Sequence, residues 1–99
     1  MADDLMKELE VEDGTIFLEP REVYDKGIMG VTDDKCHVVY GYYKLAKALA
    51  DSYKESIKAE KSDDEWYDMA FEWLDYNTIR GIPYMDKDHR PIVVYEYQA

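Results

Sequence analysis

Cysteine is almost missing from this chain. Cys36 is the only one, so no internal disulfide can staple the fold and the reducing interior of a cell is the expected compartment. Positive charge is scarce as well, with 12 Lys and Arg against 23 Asp and Glu and a formal net charge of −11. Phosphate-backbone binding is driven by Lys and Arg releasing counterions, so direct contact with nucleic acid is disfavoured and a basic partner fits better. No apolar run approaches the roughly eighteen residues that mark a membrane-spanning helix. The first ten residues lack the basic flank and apolar stretch of a secretory leader, which makes export unexpected.

What is present is apolar enough to fold. With 99 residues, 46% of them hydrophobic, the chain suits one domain around one core. Ten tyrosines are a marked excess at this length. Tyrosine joins a broad apolar face to a hydroxyl that tolerates water, which serves thin cores and contact surfaces equally.

Along the chain, residues 1–13 read as an acidic segment with at most a short, frayed helix carrying Leu5, Met6 and Leu9. Thr15-Ile-Phe-Leu18, halted by Pro20, has the β-branched and aromatic character of a strand. Arg21 to Lys26 favours a helical turn. Gly27 to Val31 and Cys36 to Tyr40 read as strands joined by a turn over residues 33–35. After Gly41, the residues Tyr42, Leu45, Ala46, Leu49, Tyr53, Ser56 and Ile57 fall on one helical face. The other face carries Lys44, Lys47, Lys54, Lys58 and Lys61, the only basic stretch of the chain. Ile92 to Tyr97 is the clearest strand, with Val93 and Tyr95 on one side and Val94 and Glu96 on the other.

Residues 62–79 carry six carboxylates and five aromatic rings without a single Lys or Arg. Ser62 with Glu65 three positions later matches a capping box. Asp63, Asp64 and Glu65 then occupy the first turn, where the helix dipole favours negative charge. Trp66, Met69, Ala70, Trp73, Leu74 and Asn77 form the expected apolar face, broadened by Tyr67 and Phe71. Glu65, Asp68, Glu72 and Asp75 make one carboxylate stripe. Either that stripe is a solvated face beside Lys54 and Lys58, or it meets a basic molecule. The rings number more than one face can hide, which is a composition shared by interfaces and by thinly covered small cores.

The remaining constellations are weak. Asp86, Asp88 and His89 lie close together in a loop after Gly81 and Pro83, but the ligand list of a calcium loop is incomplete and no metal or other cofactor is expected. Cys36 and His37 are neighbours in a strand, so their side chains point to opposite faces and cannot share a proton. A thiol site would need His89 to approach Cys36 through folding.

Several stretches together, Phe17-Leu-Glu-Pro20, Tyr24-Asp-Lys-Gly-Ile-Met-Gly-Val31, Val38-Val-Tyr40, Tyr43-Lys-Leu45, Glu72-Trp-Leu-Asp-Tyr-Asn-Thr-Ile-Arg80, Pro83-Tyr-Met85 and Pro91-Ile92, resemble a group of small uncharacterised proteins carried by phages, prophages and mobile elements of Gram-positive bacteria. The resemblance spans about four-fifths of the chain and implies a bacterial cytoplasmic setting, with no established activity or site to transfer.

The expected architecture is a single α+β domain over residues 1–99. A small, mostly antiparallel sheet of about four strands, near 15–19, 27–31, 36–40 and 92–97, packs on two antiparallel helices. The expected function is non-enzymatic binding of a basic or nucleic-acid-handling host protein, in its sharpest form as a nucleic-acid mimic. Asp63, Asp64, Glu65, Trp66, Tyr67, Asp68, Glu72 and Asp75 are the contact candidates. The alternatives are a homo-oligomer whose aromatic surfaces bury one another and, more weakly, a small-ligand or enzyme site around Cys36, His37 and His89.

Overall fold

The computed structural model describes residues 10–97; the expected N-terminal helical segment lies almost wholly outside them. Helix α1 (Arg21–Tyr24) runs through a 3-10 turn (Asp25–Gly27) into strand β1 (Ile28–Val31). Strand β2 (Val38–Gly41) leads without a loop into helix α2 (Tyr42–Ser56). Helix α3 (Asp63–Trp73) continues through a π-helical turn (Leu74–Thr78) and a 3-10 segment (Ile79–Tyr84), and strand β3 (Ile92–Val94) follows.

The sheet is three-stranded in the order β1-β2-β3. The expected hairpin forms, but its second strand begins at Val38 and leaves Cys36 and His37 in the connection: β1 pairs antiparallel with β2, with an irregularity between Ile28 and Gly30 that places Met29 outside the register. Strand β3 pairs parallel with β2, matching Val39 with Ile92 and Gly41 with Val94. The sheet is therefore mixed and, among the described residues, has three strands rather than about four. The missing strand is residues 15–19, which lie outside any ladder. There the Ile16 N–H donates to the His89 carbonyl and the Leu18 N–H to the Tyr40 hydroxyl at 2.9 Å. A single side-chain oxygen does the work that a neighbouring strand would do, satisfying a buried donor that would otherwise cost free energy. Burial pushes the Tyr40 hydroxyl up to about 12, although the Leu18 N–H opposes the rise.

The two long helices run antiparallel, as expected. Tyr42 at the start of α2 stacks on Phe71 near the end of α3, and Lys54 near the end of α2 bonds Asp63 at the start of α3. Leu45, Ala46, Leu49 and Ala50 of α2 meet Trp66, Ala70 and Leu74 in one core with Leu18, Tyr24, Val38 and Tyr40. Alanines at 46, 48 and 50 let the backbone of α2 lie close to its neighbours. Gly27 has the same purpose from the other side: a Cβ there would stand 2.6 Å from Leu45 Cδ2.

The core face of α3 differs from the periodic expectation. Trp66, Ala70, Leu74 and Thr78 are buried, whereas Trp73 and Asn77 are exposed. The expected face assumed a regular 3.6-residue turn, but the wider π turn holds Thr78 inward, where its hydroxyl meets Tyr24 Oη at 3.1 Å. That buried polar pair ties the end of α3 to α1. Trp73, at the last regular turn of α3 just before the π turn, leaves its indole 48% exposed.

Candidate functional site: an acidic helix face with an aromatic groove

Glycine 41 stands at the N-cap of α2 and has no side chain to offer the first turn. Glu96, arriving from the far end of the chain, supplies the cap instead: Oε1 accepts the Tyr43 N–H at 2.9 Å and Oε2 the Lys44 N–H at 3.0 Å. Burial alone would raise this carboxyl, but the backbone donors of Tyr43 and Lys44 outweigh it and hold Glu96 below its ordinary value. The same arrangement packs Tyr95 against Tyr42 and Tyr43, with ring centroids 4.6 and 6.2 Å apart. The segment after β3, outside the strand that was expected to run to Tyr97, thus fixes the start of α2, and α2 in turn positions α3.

On α3 the capping box forms as the sequence indicates. The Glu65 N–H donates to Ser62 Oγ at 3.3 Å, and the Glu65 carboxylate returns to the Ser62 N–H at 3.5 Å. The contact candidates then separate by what they touch. Asp63 is held by Lys54 at 2.9 Å, and that hydrogen bond keeps its carboxyl below the usual range. Asp75 accepts the Tyr42 hydroxyl at 2.9 Å. Burial, followed by that bond to a carboxylate, raises the Tyr42 hydroxyl well above the ordinary tyrosine value. Glu65 is engaged in the cap.

Asp64, Asp68 and Glu72 are exposed, and among the described residues no hydrogen bond or ion pair engages their side chains. These three sit four residues apart on one line, about 6 Å of helix rise between neighbours. Of the aromatic candidates, Trp66 is only 4% exposed and belongs to the core, so it cannot be a surface anchor. Tyr67 is half-buried beside Phe71 at 6.0 Å. The lysines expected to flank the stripe divide likewise: Lys54 reaches Asp63, but α2 ends at Ser56, leaving Lys58 and Lys61 in the exposed connection.

Trp73 and Tyr76, 48% and 64% exposed, continue the acidic line. With Tyr53, Met69, Glu72 and Asn77 they line an open groove of about 350 Å³ that contains no basic side chain. Periodicity placed Trp73 and Asn77 inside, so the groove was hidden from a regular helical reading. The surplus of rings over one face was its available signal.

The loop residues are accounted for locally. The Asp86 carboxylate accepts the Asp88 N–H and the His89 Nδ1–H, the latter at 2.6 Å, which keeps Asp86 low. His37 Nδ1 donates to the Arg90 carbonyl at 2.8 Å. Cys36 Sγ lies 3.5 Å from the Asp34 carbonyl. Partial withdrawal from water, with Asp34, Glu12 and Asp88 nearby, pushes the Cys36 thiol up, the opposite of what activates a nucleophile. Among the described residues no three His, Cys, Asp or Glu side chains converge as a metal cluster, and no helix is long and apolar enough to cross a membrane.

The chain matches no protein family, no curated protein and no solved structure.

Proposed function

We propose that the protein is a non-enzymatic binding protein whose α3 face docks on a basic protein, in the setting of a phage, prophage or related mobile element. The observation that carries this reading is the line of Asp64, Asp68 and Glu72, exposed and without partners among the described residues, running into the exposed rings of Trp73 and Tyr76. Glu65 adds a fourth carboxylate beside the line. Four carboxylates between residues 64 and 72 fall within about 12 Å of helix rise. One strand of DNA carries a charge per about 3.4 Å of axis, so the two charge densities are close. That similarity favours the sharper form of the proposal, an inhibitor that occupies the nucleic-acid site of a host nuclease or regulator. Asp63 leaves the contact set because Lys54 neutralises it, Asp75 because the Tyr42 hydroxyl holds it against α2, and Trp66 because it is buried; Glu65 bonds only the neighbouring Ser62 and stays exposed with its charge uncompensated among the described residues.

The test is retrieval of partners from host lysate by the wild-type protein and by an Asp64→Asn, Asp68→Asn, Glu72→Gln variant. Neutralising like charges at i,i+4 relieves a few tenths of a kcal/mol of repulsion, so the variant keeps its fold. A basic protein retained by the wild type and lost by the variant supports the reading; no basic partner, or equal retention, refutes it.

A self-associating domain is the second reading. It is favoured by the exposed Ile92 and Val94 of edge strand β3 and by exposed Tyr95 and Tyr97. A monomer by light scattering at all concentrations removes it, and a dimer that shields these residues supports it.

A further inference from the structure

We infer that the groove of Tyr53, Met69, Glu72, Trp73, Tyr76 and Asn77 is a receptor for one arginine side chain of the partner protein; the inference rests on the acidic-face reading and names the anchor within it. At about 350 Å³ the groove lies at the small end of ligand sites, suited to a single side chain rather than to a nucleotide or cofactor. Its lining sets aromatic surface from Trp73, Tyr76 and Tyr53 beside one carboxylate, Glu72. That combination is complementary to a cation with a flat apolar face. A guanidinium stacks on indole and phenol faces and can take a carboxylate bidentately, while an ammonium offers only a hydrated point charge.

The chain already sets a guanidinium over an aromatic ring twice, once with a carboxylate bonded to it. Arg21 Cζ lies 3.9 Å from the centroid of the Phe17 ring while the same guanidinium bonds Asp25 at 3.1 Å. Arg80 Cζ lies 5.2 Å from the centroid of Tyr76, whose ring borders both the groove and a second hollow lined by Asp75 and Arg80. The groove offers the ring and the carboxylate of the first arrangement without a cation of its own among its lining residues. Charge complementarity therefore selects the occupant, and the neighbouring Asp68 and Asp64 extend the attraction along the segment that bears the arginine.

The test titrates the ¹⁵N-labelled full chain with a short glycine-spaced arginine peptide and with its lysine counterpart of equal charge. Backbone amides and the two tryptophan indoles are followed by NMR. Both peptides shift the amides around Asp64 and Asp68, but the arginine peptide alone moves the Trp73 indole and the Tyr76 amide, leaving the buried Trp66 indole in place. Trp73→Ala weakens the arginine peptide by about two- to five-fold, the range for an exposed cation–π contact, and leaves the lysine peptide unchanged. Trp73 is largely outside the core, so the variant remains folded. Equal movement of Trp73 with both peptides, or none with either, overturns the arginine assignment while shifts at Asp64 and Asp68 keep the acidic-face reading. Absence of shifts at the acidic line with both peptides overturns the two together.

Discussion

Removing the Glu96 carboxylate should loosen the start of α2 although the residue lies 52 and 53 positions away from the groups it caps. Loss of a side-chain cap costs about 1 kcal/mol, and the favourable placement of a carboxylate at a helix N-terminus adds about 0.3–1 kcal/mol. Glu96→Ala is therefore expected to lose about 1–2 kcal/mol, which lowers Tm by roughly 4–16 °C in a domain of this size. Glu96→Gln keeps one acceptor and no charge, so it falls between. The pH dependence follows from the direction of the shift. Glu96 is held below 4.5 in the folded protein, so its contribution is complete above the unfolded value and disappears as the pH falls through the native one. Thermal unfolding followed by circular dichroism should show the gap between wild type and Glu96→Ala at neutral pH, narrowing below pH 4.5. Gly41→Ala should reproduce part of the loss, because its Cβ would stand 2.5 Å from the Glu96 carboxyl, and the two changes together should be less than additive. An unchanged Tm for Glu96→Ala, or a gap that persists undiminished in acid, would refute the remote-cap argument.

Three further outcomes are expected. Gly27→Ala should destabilise by about 1–3 kcal/mol in chemical denaturation, since the new methyl meets the fully buried Leu45 and its backbone nitrogen. Trp66→Ala should cost about 3–5 kcal/mol as a core deletion, while Trp73→Ala, at a half-exposed ring, should cost less, about 1–2 kcal/mol; acrylamide, an uncharged quencher that the acidic face does not repel, should correspondingly quench the Trp73 emission and spare Trp66. Alkylation of Cys36 by iodoacetamide at neutral pH should be slower than that of a free thiol of ordinary pKa, because partial burial and nearby carboxylates raise it, and the rate should recover only as the pH rises.

How much of this was legible differed from element to element. The capping box at Ser62 and Glu65 and the start of a helix after Gly41 were local, and local chemistry fixes them. The hairpin over residues 33–35 was legible for the same reason. Residues 15–19 looked like a strand because β-branched and aromatic side chains favour extended backbone, but composition does not say where the N–H groups bond. Here Leu18 found a tyrosine hydroxyl instead of a strand. The parallel pairing of β2 with β3 was equally hidden, since a period of two carries no information on the direction of a neighbour.

The candidate site was partly legible. The carboxylate line was visible as spacing, yet the sequence could not show that Lys54 and Tyr42 engage Asp63 and Asp75 while Asp64, Asp68 and Glu72 find no partner among the described residues. Trp73, within the regular turns of α3, and Asn77, within the π turn, lie at the surface although periodicity placed both inside. Glu96 read as a strand residue on the same side as Val94, whereas the strand ends at Val94. Only the bare N-cap at Gly41 hinted that α2 needed an acceptor from elsewhere.

The most direct test of the binding claim is the salt dependence of affinity between the protein and a basic partner it retains, measured by calorimetry for wild type and for the Asp64→Asn, Asp68→Asn, Glu72→Gln variant. Surface charge pairing weakens as the Debye length shrinks from about 10 Å at 0.1 M salt to about 3 Å at 1 M. Wild-type affinity should fall with salt, and the variant should bind more weakly with a shallower dependence. Equal affinity and equal salt slope for the two proteins would contradict the binding claim.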